Sequence, residues 1–268
     1  MAHDELYYFF KDKPELRLLV ARIPMVAATE FKADVFVFRH VPQRLVGRDE
    51  YLRRLECGAG GFGRARCHAR CLGGVGKTSL VAQWMAQLAQ RNWAVARDRP
   101  TTERAFLESV FAWSFSAETS GPAGGASADE FVKAALEFFG DTEMAAGAAS
   151  PSDKGARIAH LAAAYRTLLV LDGLEPLQHP LGPREGSIKD LAIDALLMGL
   201  THSRKGTAEG VLCVVTTREP VAELRAFHTT TAPEWVLESL TPEAGAAVLW
   251  EQVHANPEEP LLRLPTRS

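Results

Sequence analysis

A glycine-rich turn that leads directly into a helix is the feature that most constrains how this chain folds. Residues 72–79 read Leu-Gly-Gly-Val-Gly-Lys-Thr-Ser, and apolar residues then recur at helical spacing, at Leu80, Val81, Trp84, Met85 and Leu88. Glycines let a backbone curl and aim several N–H groups at one point, and a helix directs the positive end of its dipole there. The sequence therefore predicts an anion-binding loop, followed by a helix that begins at about Lys77.

The side chains that end this loop suit a nucleotide phosphate. Lys77 is predicted to neutralise the β- and γ-phosphates, and the Thr78 hydroxyl is predicted to bind Mg²⁺. The alternative interpretation is a glycine-rich turn that merely precedes a lysine at a helix start. The predicted phosphate-binding set is Gly73, Gly74, Val75, Gly76, Lys77, Thr78 and Ser79.

Two further segments end in polar side chains that phosphate chemistry needs. The aliphatic run 167–171 leads into Asp172, which is predicted to be a second Mg²⁺ position. Glu175 follows, and it either polarises an attacking water or is a solvated loop acid. The run 211–216 leads to Arg218, which either senses a γ-phosphate or is a surface arginine after a strand.

Short aliphatic runs separated by helical stretches indicate the α/β class. We expect a parallel sheet of about five strands with helices on both faces. The candidate strands are residues 110–115, 167–171, 211–216 and 235–237. This predicted nucleotide-binding domain spans residues 41–255, after a leader or domain remnant of unassigned function at 1–40 and before a proline-rich tail at 256–268.

The stretch before the glycine loop does not read as the buried central strand that such a sheet requires. Read as a strand, it places Arg64, Arg66 and Arg70 on one face, and burying unpaired charges costs several kcal/mol each. Cys71 also stands where a glycine would give the loop more backbone freedom. We therefore expect either a loop with an incomplete first central strand, or residues 57–71 from a wrong reading frame.

The cysteines of the chain do not form a recognisable disulfide framework, because there are 4 of them and they are unevenly spread. Cys57, Cys67 and Cys71, together with His68, have a spacing that zinc sites also use. A reading-frame error or coincidence explains that spacing better than a zinc site does.

Composition and charge exclude some classes of function. The 268 residues are 47% hydrophobic and 24% charged, as in a folded globular chain, and the net charge of −3 provides no basic surplus for nucleic acid. The acidic amino terminus is not typical of a secretory signal, and no apolar run is long enough for a membrane span. We expect a cytoplasmic protein without a membrane or nucleic-acid partner.

Together these motifs resemble those of the NB-ARC and related STAND class of signal-transduction ATPases, particularly its bacterial branch. Residues 46–50 look like the motif that this class uses to contact the base and ribose, which implies roles for Val46, Gly47 and Arg48. Residues 73–78 are similar to its Walker A motif, residues 169–175 to its Walker B region, and residues 215–218 to its sensor. The resemblance covers roughly residues 41–250, with the four motifs in the family's order.

The resemblance implies a nucleotide-driven switch that binds ATP or ADP with Mg²⁺ and hydrolyses ATP slowly. In such proteins the ADP form is resting, while the ATP form assembles with further copies and signals to an effector domain. The family's lid, effector and sensor modules are not recognisable in this chain, so complete switching is expected to need them. The alternative functions are an AAA-type motor ATPase acting on protein or nucleic acid, and a non-catalytic fragment or frame-shifted product.

Overall fold

The computed structural model describes residues 31–35, 45–60, 67–70, 76–95, 105–115, 128–180, 182–202 and 211–255. Its strands are β1 (Lys32–Asp34), β2 (Cys67–Arg70), β3 (Ala94–Val95), β4 (Ala105–Phe106), β5 (Ser109–Ser114), β6 (Thr167–Asp172), β7 (Val211–Thr217) and β8 (Glu234–Val236). Its helices are α1 (Asp49–Gly60), α2 (Lys77–Gln90), α3 (Ala128–Phe138), α4 (Thr142–Ala146), α5 (Pro151–Ala163), α6 (Leu191–His202) and α7 (Pro242–Ala255). Short 3₁₀ turns follow β6 at Glu175–Leu177 and β7 at Ala222–Phe227.

The main sheet has six strands in the order β1-β5-β6-β7-β2-β8. Every neighbouring pair in it is parallel, whereas β3 and β4 form a separate antiparallel pair. The predicted α/β class and parallel sheet are confirmed. The sheet has six strands rather than about five, because β1 adds to its edge beside β5 and comes from the segment predicted to be a leader.

The strand before the glycine loop is present in the backbone. Cys67–Arg70 pairs in parallel with Val214–Thr217 of β7 on one side and with Glu234–Val236 of β8 on the other. The expectation of a loop and an incomplete sheet is therefore wrong for these residues. Two flanking strands supply ladder partners for its N–H and C=O groups, so strand pairing outweighs the weak strand propensity of this sequence.

Helices cover both faces of the sheet, as predicted. Alternate residues of β5, β6 and β7 point to opposite faces and form two apolar layers. One layer packs against α3, α5 and α6, with a buried core that includes Phe111, Leu169, Val215, Phe131, Ile158 and Ile193. The other packs against α1 and α2, with Val110, Leu168, Val214, Leu55, Trp84 and Leu88. Burial on both faces explains why the apolar runs of β6 and β7 are continuous.

The helix predicted after the glycine loop begins at Lys77 and ends at Gln90. Its inward side buries Leu80, Val81, Trp84 and Leu88 against the sheet. This packing holds the first turn of α2 beside the carboxyl ends of the central strands. Within the described part of the chain, no helix has the length and apolar character needed to cross a bilayer.

Candidate phosphate-binding site

The site lies where β6 and β7 end and α2 begins. Parallel strands bring their carboxyl ends to one edge of the sheet, and ligands of open α/β sheets bind at that edge. Gly76, which precedes α2, has a φ of 88°. A glycine adopts this left-handed conformation without the steric penalty of a side chain, so it can turn the chain sharply into α2. Lys77 and Thr78 then occupy the first helical turn, facing the end of β6.

The carboxylate of Asp172 is the centre of a hydroxyl cluster. The Thr78 hydroxyl lies 3.0 Å from both carboxylate oxygens of Asp172. Thr216 at the end of β7 donates to Oδ1 over 2.6 Å, and Ser114 at the end of β5 donates to Oδ2 over 3.4 Å. Thr216 also accepts the Gly173 backbone N–H over 2.9 Å, which fixes its hydroxyl. The cluster therefore joins α2 to three neighbouring strands.

Burial raises the pKa of Asp172 above its ordinary value, because the side chain is only 3% exposed and a buried charge loses hydration. Hydrogen bonds from Thr216 and Thr78 oppose this shift, the negative charge of Glu175 adds to it, and Ser114 lowers the pKa slightly. All three side-chain donors that contact the carboxylate are neutral hydroxyls. A cation at this position would therefore favour the ionised carboxylate.

The residues at Asp172 fit Mg²⁺. Mg²⁺ prefers oxygen ligands, and in nucleotide sites one or two carboxylates share it with substrate phosphates. The Thr78 hydroxyl and the Asp172 carboxylate provide two such oxygens within 3.0 Å of each other. Among the side chains described, no group of three or more His, Cys, Asp or Glu could hold a metal alone. This donor set matches a metal that is shared with a phosphate.

Glu175 connects two cationic side chains at the mouth of the site. Its Oε1 lies 3.3 Å from the Lys77 ammonium and 3.6 Å from the Arg218 guanidinium. Lys77 is 10% exposed, whereas Arg218 is 64% exposed. The structure thus brings the predicted residues Lys77, Thr78, Asp172, Glu175 and Arg218 together, and Glu175 is an ion-paired residue rather than an isolated loop acid.

These observations decide the fold. A parallel strand, β2, precedes a helix that begins Lys-Thr, and an acidic strand end from β6 meets that threonine across the edge of the sheet. The chain has a P-loop NTPase fold. In this fold β7 lies between β2 and β6, and its Thr216 hydroxyl donates to Asp172 at the end of β6.

The segment 46–48 lies against the carboxyl-terminal part of the P-loop domain. Arg48 is 4% exposed and donates to the Glu238 carbonyl over 2.8 Å. Gly47 has a φ of 69°, and a Cβ there would lie 3.1 Å from Cβ of Ala244. Val46 is half-buried beside them. The predicted contact of Val46, Gly47 and Arg48 with a base and ribose stays a prediction. The structure shows Gly47 packed beside Ala244 of α7.

Several predicted site residues fall outside the described part of the chain. These are Gly73, Gly74 and Val75 of the phosphate loop. Ser79 is half-buried in the first turn of α2. The side chains of the zinc candidates Cys57, Cys67, His68 and Cys71 also lie outside the described residues.

Three polar residues of the site were not predicted individually. Ser114 and Thr216 bind the Asp172 carboxylate, and Gln178 binds the loop that carries Arg218. The signal for Ser114 and Thr216 is a hydroxyl side chain that follows an apolar run at the carboxyl end of a strand. No local signal distinguishes Gln178 from a solvated loop residue, because its partners are remote in sequence.

No family model matches the chain, and no curated protein matches it. Among solved structures, the chain is similar to a STAND protein with a tetratricopeptide repeat sensor from Pyrococcus horikoshii, with 14% identity, a TM-score of 0.48, and coverage of 81% of this chain and 26% of that one. It is also similar to the ORC2 protein of Aeropyrum pernix, with 12% identity, a TM-score of 0.47, and coverage of 82% and 55%. DnaA from Aquifex aeolicus is a third, with 14% identity, a TM-score of 0.40, and coverage of 84% and 55%.

Each of these three proteins is longer than the matched region, so the chain spans about a quarter of the first and about half of the others. The assignment of the P-loop NTPase fold rests on the strand order and site geometry of this chain itself.

Proposed function

We propose that this chain binds ATP and ADP with Mg²⁺ and acts as the nucleotide switch domain of a STAND-type signalling ATPase with slow hydrolysis. The observation that carries the proposal is the meeting of Thr78 with Asp172, beside the ion pairs of Lys77 and Arg218 with Glu175. These side chains come from the start of α2, the end of β6, the turn after β6 and the loop after β7, and they converge on one edge of the sheet. Phosphoryl transfer needs a cation for the phosphates, a metal position and a group that orients the attacking water.

Lys77 is the residue proposed to bind the β- and γ-phosphates. Its ammonium already contacts an anionic oxygen of Glu175 at 3.3 Å, and its side chain is only 10% exposed. A phosphate at the start of α2 would accept hydrogen bonds from the same ammonium and would also lie at the positive end of the helix dipole. The proposed binding set keeps Gly73, Gly74, Val75, Gly76 and Ser79 as the rest of the loop.

Thr78 and Asp172 are the proposed ligands of Mg²⁺. When bound, Mg²⁺ would neutralise charge on the phosphates of the nucleotide. Thr216 and Ser114 orient the Asp172 carboxylate by donating to its two oxygens separately. The hydroxyl cluster therefore keeps the carboxylate in one orientation without supplying a competing cation.

Glu175 is proposed to orient the attacking water, and Arg218 to sense the γ-phosphate. The Glu175 carboxylate is engaged by both Lys77 and Arg218, so it must release Lys77 to a phosphate before it can act on water. This prior exchange supports slow turnover. Arg218 is exposed at the same edge and carries the positive charge that an additional phosphate would attract.

The switch proposal extends to the segment around Arg48. Arg48 joins the 46–48 motif to Glu238, close to α7. If Val46, Gly47 and Arg48 contact the base and ribose, then nucleotide occupancy is linked to the position of α7. We further propose a cytoplasmic protein whose ATP state assembles with other copies, and whose effector and sensor modules are supplied outside the described region.

The experiment that tests the switch compares two nucleotide states of the full chain. Light scattering coupled to gel filtration measures its mass with Mg²⁺ and ADP, and with Mg²⁺ and a non-hydrolysable ATP analogue. The proposal expects a larger species only with the analogue, turnover on the order of 1 min⁻¹ or slower, and loss of both in Lys77→Ala but not in Lys133→Ala on the exposed side of α3. Fast turnover with assembly in both states would instead favour a motor ATPase, and no nucleotide effect would favour a non-catalytic fragment.

A further inference from the structure

A buried amide links the two loops that carry Glu175 and Arg218. Gln178 is 2% exposed, although glutamine is a residue that usually lies at the surface. Its Oε1 accepts the Thr217 hydroxyl in a short hydrogen bond. Its Nε2 lies 3.0 Å from the Gly186 carbonyl, 3.2 Å from that of Pro220 and 3.3 Å from that of Glu219. The amide therefore uses its acceptor and both donor hydrogens inside the fold.

Three of these four contacts surround Arg218. Thr217 precedes it, and Glu219 and Pro220 follow it. The Arg218 side chain itself is mostly exposed, and its ion pair with Glu175 is 3.6 Å long. An exposed pair of this length contributes little to holding a side chain. The Thr217 side chain before Arg218 and the Glu219 and Pro220 carbonyls after it, all of which Gln178 contacts, therefore set the position from which the guanidinium reaches the site.

The backbone of Gln178 is equally tied to Glu175. The Gln178 N–H donates to the Glu175 carbonyl over 3.1 Å, closing the 3₁₀ turn that begins with Glu175. The same turn is also held by the Lys189 N–H, which donates to the Leu177 carbonyl over 2.8 Å. A shift of Gln178 would therefore move the Glu175 turn and the Arg218 loop together.

We propose that Gln178 is a positioning residue that holds Arg218 and Glu175 at the relative positions needed to recognise a γ-phosphate. The inference rests on the proposed function, because it assigns to Gln178 the geometry of a nucleotide-sensing arginine. A purely structural amide would stabilise the fold equally for ADP and ATP. A positioning amide affects only the state in which Arg218 has a phosphate to contact.

The test measures the dissociation constants of Mg²⁺-ADP and of a Mg²⁺-bound non-hydrolysable ATP analogue by calorimetry on the full chain. Gln178→Met keeps the length of the side chain and removes its amide. Thr217→Val removes the hydroxyl that reaches Oε1, and this hydroxyl also accepts the Glu219 N–H over 3.3 Å and lies 3.1 Å from the Glu219 carbonyl, whereas Thr217→Ser retains it. We expect analogue affinity to fall about tenfold in Gln178→Met and about threefold in Thr217→Val, with ADP affinity within about twofold of wild type in both.

Thr217→Ser serves as the conservative rescue and is expected to restore the affinity for the analogue. Equal losses for ADP and the analogue in Gln178→Met and in Thr217→Val would overturn the proposal, because they would show a structural role only. If Gln178→Met does not fold, the comparison of Thr217→Val with Thr217→Ser decides the question alone, since only valine lacks the hydroxyl that Gln178 Oε1 accepts.

Arg218→Ala separates this inference from the proposed function. If Gln178 acts through Arg218, the double variant Gln178→Met/Arg218→Ala binds the analogue no more weakly than Arg218→Ala does, whereas independent effects would multiply and contradict the inference. If Arg218→Ala leaves the preference for the analogue over ADP unchanged while wild type still binds nucleotide, the sensing role of Arg218 fails, and the inference fails with it. If wild type binds neither nucleotide, the proposed function fails first.

Discussion

At the residue level, the burial of Asp172 opposes the negative charge that its proposed role as a Mg²⁺ ligand requires. Its pKa is raised chiefly by burial, so the folded chain holds the proton of this carboxyl more tightly than the unfolded chain does. Stability from this group is therefore present at acid pH and is lost as the pH rises from the ordinary carboxyl value of about 3.9 through the raised value. Above the raised pKa, without a cation, the ionised carboxylate destabilises the fold.

This conflict predicts that Asp172→Asn stabilises the nucleotide-free protein at neutral pH. An asparagine can still accept from Thr216 and carries no buried charge, so we expect a gain of about 1 kcal/mol, or roughly 2–4 °C in Tm. The gain should shrink as the pH falls through the raised pKa toward the ordinary value of about 3.9, because the wild-type carboxyl is then protonated. Thermal unfolding followed by circular dichroism across this pH range measures it. A lower Tm for Asp172→Asn at pH 7 would contradict the account of a costly buried charge.

Glu175 gives a second prediction at the same scale. Glu175→Gln removes the negative charge that Lys77 and Arg218 contact, while the shape of the side chain is kept. We expect hydrolysis to slow by about 100-fold because the water-orienting carboxylate is lost, and ATP to bind about threefold more tightly because Lys77 loses a competing partner. A phosphate-release assay and calorimetry measure the two effects. Glu137→Gln, on the exposed side of α3, is the matched control and should change neither.

At the scale of elements, the loop after β7 depends on a close approach to Gly186. Gly186 has a φ of 76°, and a Cβ there would lie 2.0 Å from the Pro220 carbonyl oxygen. Gly186→Ala therefore combines left-handed backbone strain with a clash, and we expect a loss of about 3 kcal/mol in the free energy of unfolding. Gly140→Ala is the control, because its φ is 88° and nothing lies within 4 Å of the added Cβ.

The control should lose only the conformational part, about 1 kcal/mol. Urea unfolding of both variants measures the difference. Equal losses of unfolding free energy in Gly186→Ala and Gly140→Ala would show that the Pro220 loop moves easily to accommodate the added Cβ. This loop would then not be held rigidly near Arg218.

The central strand β2 allows a prediction from its backbone position and sequence. It pairs on both sides, where aliphatic and β-branched residues are usual, yet it reads Cys-His-Ala-Arg. His68→Val and Arg70→Val are each expected to raise Tm by roughly 2–4 °C. The control is Lys32→Val on the exposed edge strand β1, which should change Tm by less than about 2 °C. If the β2 variants melt at or below the wild-type temperature, polar residues are favoured there for another reason.

Elements with strong local patterns could be predicted from the sequence, and those defined by long-range pairing could not. β6 and β7 each contain a continuous apolar run, at residues 168–171 and 211–215, so the existence of both strands followed from composition. β1 reads Lys-Ala-Asp and β2 reads Cys-His-Ala-Arg, and neither has an apolar pattern. Both become strands because a neighbouring strand offers ladder hydrogen bonds, and residues remote in sequence provide that strand.

At the scale of the whole molecule, the strand order determines how much of the site could be foreseen. The association of Thr78 with Asp172 followed from the motifs, because each lies at a recognisable helix start or strand end. The contribution of Ser114 and Thr216 depends on β5 and β7 flanking β6, which no local pattern states. The role of Gln178 could not be predicted either, since its partners lie in two loops that meet only in the folded chain.

Nucleotide binding at Lys77 is tested by calorimetric titration of Mg²⁺-ADP into the full chain and into Lys77→Ala, with circular dichroism confirming that both are folded. Lys77 is the one cation held at the start of α2 in the described site, and its neighbours Thr78 and Asp172 supply the metal position. We predict saturable binding by the wild type with a Kd on the order of 1–10 µM, and at least a hundredfold weaker binding by Lys77→Ala, or roughly 2.7 kcal/mol. Folded wild-type protein that releases no binding heat, or a Lys77→Ala variant that binds as tightly, would contradict the account.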